Sequence, residues 1–176
     1  MNLIIRKEID KDFKDIYNLV KNAFENCEHS DGNEHNLVEK LRKSKNYIPK
    51  LSLVAVESNK IVGYIMMTKL YIKKDNNIYE SLALAPLSVL PEYQNKGIGS
   101  RLIEEALKLS KKLGYENIFV LGSENYYPRF GFKEAINFGI KAPFEVPSKN
   151  FMAIELIENS LKDISGDLIY AKEFFE

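Results

Sequence analysis

Residues 87–102 read LSVLPEYQNKGIGSRL: an apolar run closed by Pro91, a polar turn, then Gly97 and Gly99 at the start of a helical pattern. Glycine is the poorest helix former after proline, so two of them on a first turn need a reason. The first amides of a helix have no intrahelical partner, and the macrodipole adds partial positive charge there. A phosphate can lie on that end where no side chain blocks the backbone. Glycines at 97 and 99 remove two Cβ atoms and tolerate unusual dihedrals, while Lys96 and Arg101 offer further positive charge. The stretch QNKGIGS (94–100) therefore reads as a cradle for a diphosphate. Close packing of the helix on a strand would call for the same glycines. Two commoner phosphate loops do not fit. A GxGxxG fingerprint needs glycine where Leu102 stands, and a Walker loop carries its lysine after the glycine, whereas Lys96 precedes Gly97.

Working outward, the helix from Gly97 to Leu113 places Ile98, Leu102, Ile103, Ala106 and Leu107 on one face. Gly114 stops it, and Lys108, Lys111 and Lys112 suit the C-terminal end of its dipole. Upstream, Ile78 to Leu90 is an apolar run, preceded by LSLVAVE, the turn SNK and IVGYIMMTKLYI, which read as a hairpin. NLIIRKEI near the start has strand character. Asp10 or Asp12 then offers an N-cap for an amphipathic helix through Phe13, Ile16, Tyr17, Val20 and Phe24. After the polar ENCEHSDGN, residues Leu37, Val38 and Leu41 mark a short second helix. Downstream, NIFVLGS lacks alternation, as expected of a strand buried on both faces. YYPRF makes a turn, and FMAIELI and DLIYAKEFF are late strands. Strands with a few helices between them make a mixed α/β domain with a central sheet.

The chain has 176 residues, 45 % of them hydrophobic, enough for one domain with its own core. Lysine plus arginine and aspartate plus glutamate each number 25, so the formal net charge is zero. This lacks the electrostatic footprint of a nucleic-acid or membrane-surface binder and points to a small-molecule partner. The single cysteine, Cys27, excludes an internal disulfide and reads as a small buried residue, and no His/Cys cluster has metal spacing. No apolar run resembles a signal peptide or approaches the ~18 residues of a membrane span, so a soluble, cytoplasmic protein is expected.

QNKGIG also matches the pattern Gln/Arg-x-x-Gly-x-Gly/Ala, placed after the fourth strand and opening the third long helix. Here the chain resembles the GNAT superfamily of N-acetyltransferases, for which this is the acetyl-CoA signature. YYPRFGF (126–132) resembles the family's second landmark, a Phe/Tyr-Tyr-x-x-x-Gly-Phe segment. The resemblance runs nearly end to end. EHNLVEKLR, SLVAVESNKIVGYI, LAPLSVLPEYQNKGIGSRL, VLGSENYYPRFGF and FMAIEL are similar, in that order, to the YhbS-like branch of predicted acetyltransferases.

The resemblance implies a single α/β domain over 1–176, with 150–176 as a strand-rich C-terminal extension. Its sheet would be mixed and mostly antiparallel, splayed between strands 4 and 5 and flanked by helices. The implied reaction moves an acetyl group from acetyl-CoA to a primary amine, a small molecule or a peptide, by direct attack and without a metal. A non-catalytic acyl-CoA-binding module is the alternative, and the C-terminal strands offer a surface for a homodimer. By resemblance the backbone of Leu87, Ser88 and Val89 pairs with pantetheine, with the Leu87 amide near the thioester carbonyl. Gln94, Asn95, Lys96, Gly97, Ile98, Gly99 and Ser100 hold the pyrophosphate.

Tyr127, four residues before Gly131, matches the family tyrosine that protonates the departing thiolate, and Tyr126 is its neighbour. A phenol keeps its proton at neutral pH, with a pKa of ~10. Val120 stands where many members carry an asparagine seven residues before that tyrosine. For the general base, Glu34, His35, Glu80 and Glu124 are candidates, and Glu34 matches a glutamate of the YhbS-like pattern. An acid there also suits the first turn of its own helix. His29 and His35 are expected at the surface.

Overall fold

The computed structural model describes residues 2–176. Eight strands and three α-helices follow in the order β1 (Leu3–Lys7), α1 (Phe13–Phe24), α2 (Glu34–Arg42), β2 (Tyr47–Glu57), β3 (Lys60–Lys74), β4 (Asn77–Val89), α3 (Ile98–Lys112), β5 (Asn117–Leu121), β6 (Lys133–Glu134), β7 (Phe151–Glu155) and β8 (Asp167–Ile169). They form one open sheet with strand order β1-β2-β3-β4-β5-β7-β6, and β8 pairs with β3. Every pairing is antiparallel except β4 with β5. The long β3 continues past the end of β2, and its Tyr71–Lys73 stretch takes β8 as the new neighbour.

The helices form where the pattern places them, with local differences. Neither aspartate side chain caps α1. The Asp12 carboxylate instead turns back to accept the Ile9 amide at 2.8 Å and pairs with Arg6 at 2.7 Å. Arg6 draws the Asp12 pKa below the usual carboxylate range against the opposing pull of burial. On α3 the inward stripe is Ile98, Leu102, Ile103, Ala106 and Ser110, with Leu107 only half-buried. The Ser110 hydroxyl is satisfied by the Ala106 carbonyl at 2.7 Å. Ile98 and Leu102 seat α3 against β3 at Gly63, where an added Cβ would meet them at 3.0 and 2.9 Å.

The main core lies between the sheet, α1, α2 and α3. A second cluster is built on Leu70, Ile72, Ala83, Phe119 and Phe151 and is covered by the chain from Ala135 to Phe174. NIFVL is buried as expected up to Val120, so β5 joins both clusters. Two expectations about burial fail. Cys27 is exposed, because the polar chain after α1 leaves the core. His35 is 8 % exposed, with its ring set edge-on to Tyr17 at 4.7 Å between α1 and α2.

Candidate functional site

Two features of β4 build the site. Opposite the single residue Met66 of β3, β4 carries Ala85 and Pro86, a bulge between the pairs Met67↔Leu84 and Ile65↔Leu87. Proline cannot donate to a ladder and is confined to such places, and a bulge bends its strand. On the other side, β4 pairs with β5 only over Leu82–Leu84, against Ile118–Val120. From Leu87 to Val89, β4 has a ladder partner on β3 but none on β5 among the described residues.

The chain then turns at Pro91–Tyr93 into α3. Asn95 and Gly97 both take left-handed backbone, at φ 61° and 80°. Gly97 is the N-cap of α3 and makes no side-chain cap, and the first turn holds no acidic residue. Its early amides and the positive dipole end are therefore left uncompensated. A Cβ on Gly97 would meet nothing within 4 Å, so glycine serves the backbone conformation there, not a crowded neighbour. Gly99 is different: a Cβ there would lie 2.7 Å from the Tyr126 hydroxyl. Of the two basic side chains, Lys96 lies over the Tyr93 ring at 5.1 Å, whereas Arg101 reaches away to the Leu3 carbonyl at 3.4 Å.

Past its short pairing with β4, β5 runs into Gly122 and the turn that carries Tyr126 and Tyr127. A Cβ on Gly122 would strike the Tyr127 ring at 2.3 Å, so this glycine, which motif reading passed over, makes room for the phenol. Tyr127 is 9 % exposed and packed edge-on by Tyr126 and Phe132. Burial, and secondarily Tyr126, push its pKa above the ordinary phenol value. The chain before β7 is tied to the same place, because Asn150 donates to the Gly122 carbonyl at 3.1 Å and to Glu124 at 2.7 Å.

The acid–base candidates separate cleanly. Glu80 pairs with Lys69 at 3.5 Å, and Glu124 is held by Lys149 and Asn150. Glu34 opens α2 and accepts the Ser30 hydroxyl on Oε1, while its Oε2 is enclosed with no partner among the described residues. The Ser88 hydroxyl, 3 % exposed on the face opposite α3, is likewise without a partner. No cluster of three metal-ligating side chains occurs among the described residues, and no helix there is long and apolar enough to cross a membrane.

The profile of the acetyltransferase (GNAT) family matches residues 13–132, from the first residue of α1 to the end of the YYPRFGF landmark. The chain belongs to the GNAT acetyltransferase family. Among its relatives, the uncharacterised N-acetyltransferase YjhQ of Escherichia coli is 38 % identical over 66 % of this chain and 65 % of its own length, just under two thirds. YhbS of Escherichia coli, also an uncharacterised N-acetyltransferase, is 27 % identical over 98 % of both chains. The crystal structure of E. coli YhbS in complex with CoA superposes with a TM-score of 0.89 and 25 % identity, over 99 % of this chain and 92 % of that one. A GNAT acetyltransferase from Brucella melitensis in complex with acetyl-CoA gives 0.79 and 30 %, over 98 % of each. The GNAT fold expected from the motifs is thus the fold observed: an open, mixed eight-stranded sheet with three helices.

Proposed function

We propose that this protein transfers the acetyl group of acetyl-CoA to a primary amine by direct attack. The observation that carries this reading is the stretch Leu87–Val89 of β4, which has no ladder partner on its β5 side and leads into the uncapped glycine turn of α3. An extended pantetheine arm fits beside the first, and its diphosphate fits on the second. The relatives bound to CoA and to acetyl-CoA support the same ligand.

In this reading the backbone of Leu87, Ser88 and Val89 pairs with the arm as a surrogate strand neighbour. The amides from Gln94 through Ser100 hold the diphosphate, including those of Asn95, Lys96, Gly97, Ile98 and Gly99. The coenzyme supplies an activated acetyl thioester. The Leu87 amide is a fixed donor for the negative charge that develops on the carbonyl oxygen. Glu34 Oε2, enclosed and unpartnered, takes the proton that the attacking amine sheds. Tyr127 hydrogen-bonds the sulfur as the carbon–sulfur bond breaks. Much of the rate comes from holding both substrates together.

The test is a panel of amines (polyamines, amino acids and short peptides) with acetyl-CoA, read as free thiol. Thiol released only in the presence of an amine is the expected result, and the amine that works identifies the acceptor. A folded protein that binds CoA yet releases no thiol with any amine would be a binding module. The cradle has its own test in Gly97→Val. A β-branched residue held at positive φ costs ~1–3 kcal/mol, so the turn relaxes out of shape. CoA affinity in titration calorimetry should fall by about tenfold or more, with the circular dichroism spectrum unchanged. Wild-type affinity in that variant would remove the backbone cradle.

A further inference from the structure

We propose that Tyr126, which no motif assigns a role, belongs to the coenzyme site: its phenol walls the diphosphate cradle from the β5 side and donates its O–H to the diphosphate. This rests on the function proposed above. The ring is fixed from several directions. Tyr127 and Phe130 pack it edge-on at 5.2 and 5.3 Å, and the Arg129 guanidinium lies 4.7 Å from its centroid. The turn beneath it is locked, because Arg129 donates to the carbonyls of Tyr126 at 3.0 Å and of Asn125 at 3.1 Å. Those bonds use main-chain oxygens and leave the phenol free to act. The far end of the ring is delivered to α3, where its oxygen lies 2.7 Å from the place a Gly99 Cβ would take, with Val89 at 3.8 Å from the same point.

A purely packing role does not account for this placement. Phenylalanine would fill the same contacts with Tyr127, Phe130 and Arg129. Only the hydroxyl occupies the space that an alanine at 99 would need. Gly99 has no positive φ to justify it, and glycine inside a helix costs ~1 kcal/mol relative to alanine. The chain bears that cost to keep a phenol oxygen against the first turn of α3. A phenol O–H can donate a hydrogen bond to a phosphate oxygen. The positive end of α3 and the Arg129 cation make the same spot favourable for an anion.

The experiment is titration calorimetry of wild type, Tyr126→Phe, Gly99→Ala and the double variant with CoA, and with pantetheine, which lacks the diphosphate. Tyr126→Phe should bind CoA about tenfold more weakly, the scale of a hydrogen bond to a charged group, and bind pantetheine as wild type does. Gly99→Ala, whose methyl displaces the phenol, should lose a similar factor. The two losses should not add in the double variant, because both remove the same donor. Thermal unfolding of all four proteins separates misfolding from lost contact. CoA binding to Tyr126→Phe at wild-type affinity would overturn the proposal, as would additive losses or an equal loss for pantetheine. Failure of the wild type itself to bind CoA would instead overturn the function on which the proposal rests.

Discussion

Tyr127→Phe should lower the turnover number by about 10²-fold, the lower end of what positioned acid–base groups contribute, and leave CoA affinity unchanged. The structure makes this a clean substitution. The ring is held by Gly122, Tyr126 and Phe132, contacts that phenylalanine keeps. Burial, not a hydrogen bond, is the main cause of the raised pKa, so removing the hydroxyl breaks no bond within the fold. Thermal stability should hold or rise slightly. The raised pKa also defines the kind of help the phenol gives. An ordinary thiol titrates near ~8.5, below even an unperturbed phenol at ~10, so full proton transfer to the thiolate runs uphill. In the proposed mechanism Tyr127 is therefore a hydrogen-bond donor to the charge building on sulfur.

Two signs follow for the pH profile. Because its folded pKa is raised, Tyr127 keeps its proton throughout neutral and mildly alkaline pH, so it contributes no descending limb there. The ascending limb belongs to the amine, which must be neutral to attack. The variant should show the same profile shape at reduced height. Unchanged turnover with the true acceptor would end the role of Tyr127, and a changed shape would mean that it titrates during the reaction.

How much of this was legible follows from the range over which each signal acts. The glycine turn, the α3 stripe and the β2–β3 hairpin are written in neighbouring residues, and they stand where the periodicity places them. The YYPRFGF turn that carries Tyr127 is likewise contiguous in the chain. Gly122 is not legible in this way, since the ring it accommodates is what gives it meaning. In the sequence Gly99 suits an open first turn, whereas in the fold its absent Cβ faces Tyr126, which follows 27 residues later in the chain. His35 and Cys27 were misplaced for a related cause. Burial of a single polar or small residue depends on what packs over it, and α1 covers His35 while nothing covers Cys27.

The least legible feature carries the largest predicted change in stability. Glu8, just past β1, and Arg42, at the end of α2, form a salt bridge at 2.9 Å, with side chains 1 % and 8 % exposed. Tyr47 donates to the same carboxylate at 2.5 Å, Arg42 also reaches Glu39 at 2.9 Å, and its guanidinium lies 3.7 Å from the Phe13 ring centroid. Burial alone would lower the Arg42 pKa, and the bonds to Glu8 more than reverse that. Arg42→Ala should destabilise the protein by ~3–5 kcal/mol, because it strands a buried carboxylate. That is a large fraction of the ~5–15 kcal/mol available to a domain. The double replacement Glu8→Leu with Arg42→Met should cost less than the single Arg42→Ala, since buried ion pairs exchanged for apolar groups of similar volume are often neutral. Urea denaturation of the three variants measures both quantities. The consequence reaches the site, because α2 is the helix that begins with Glu34. Where folded Arg42→Ala protein is isolated by ligand or low temperature, its turnover should fall as Glu34, the base proposed above, loses its fixed position. Equal stability of wild type and Arg42→Ala would mean that water reaches the carboxylate and that α2 is anchored by apolar packing alone.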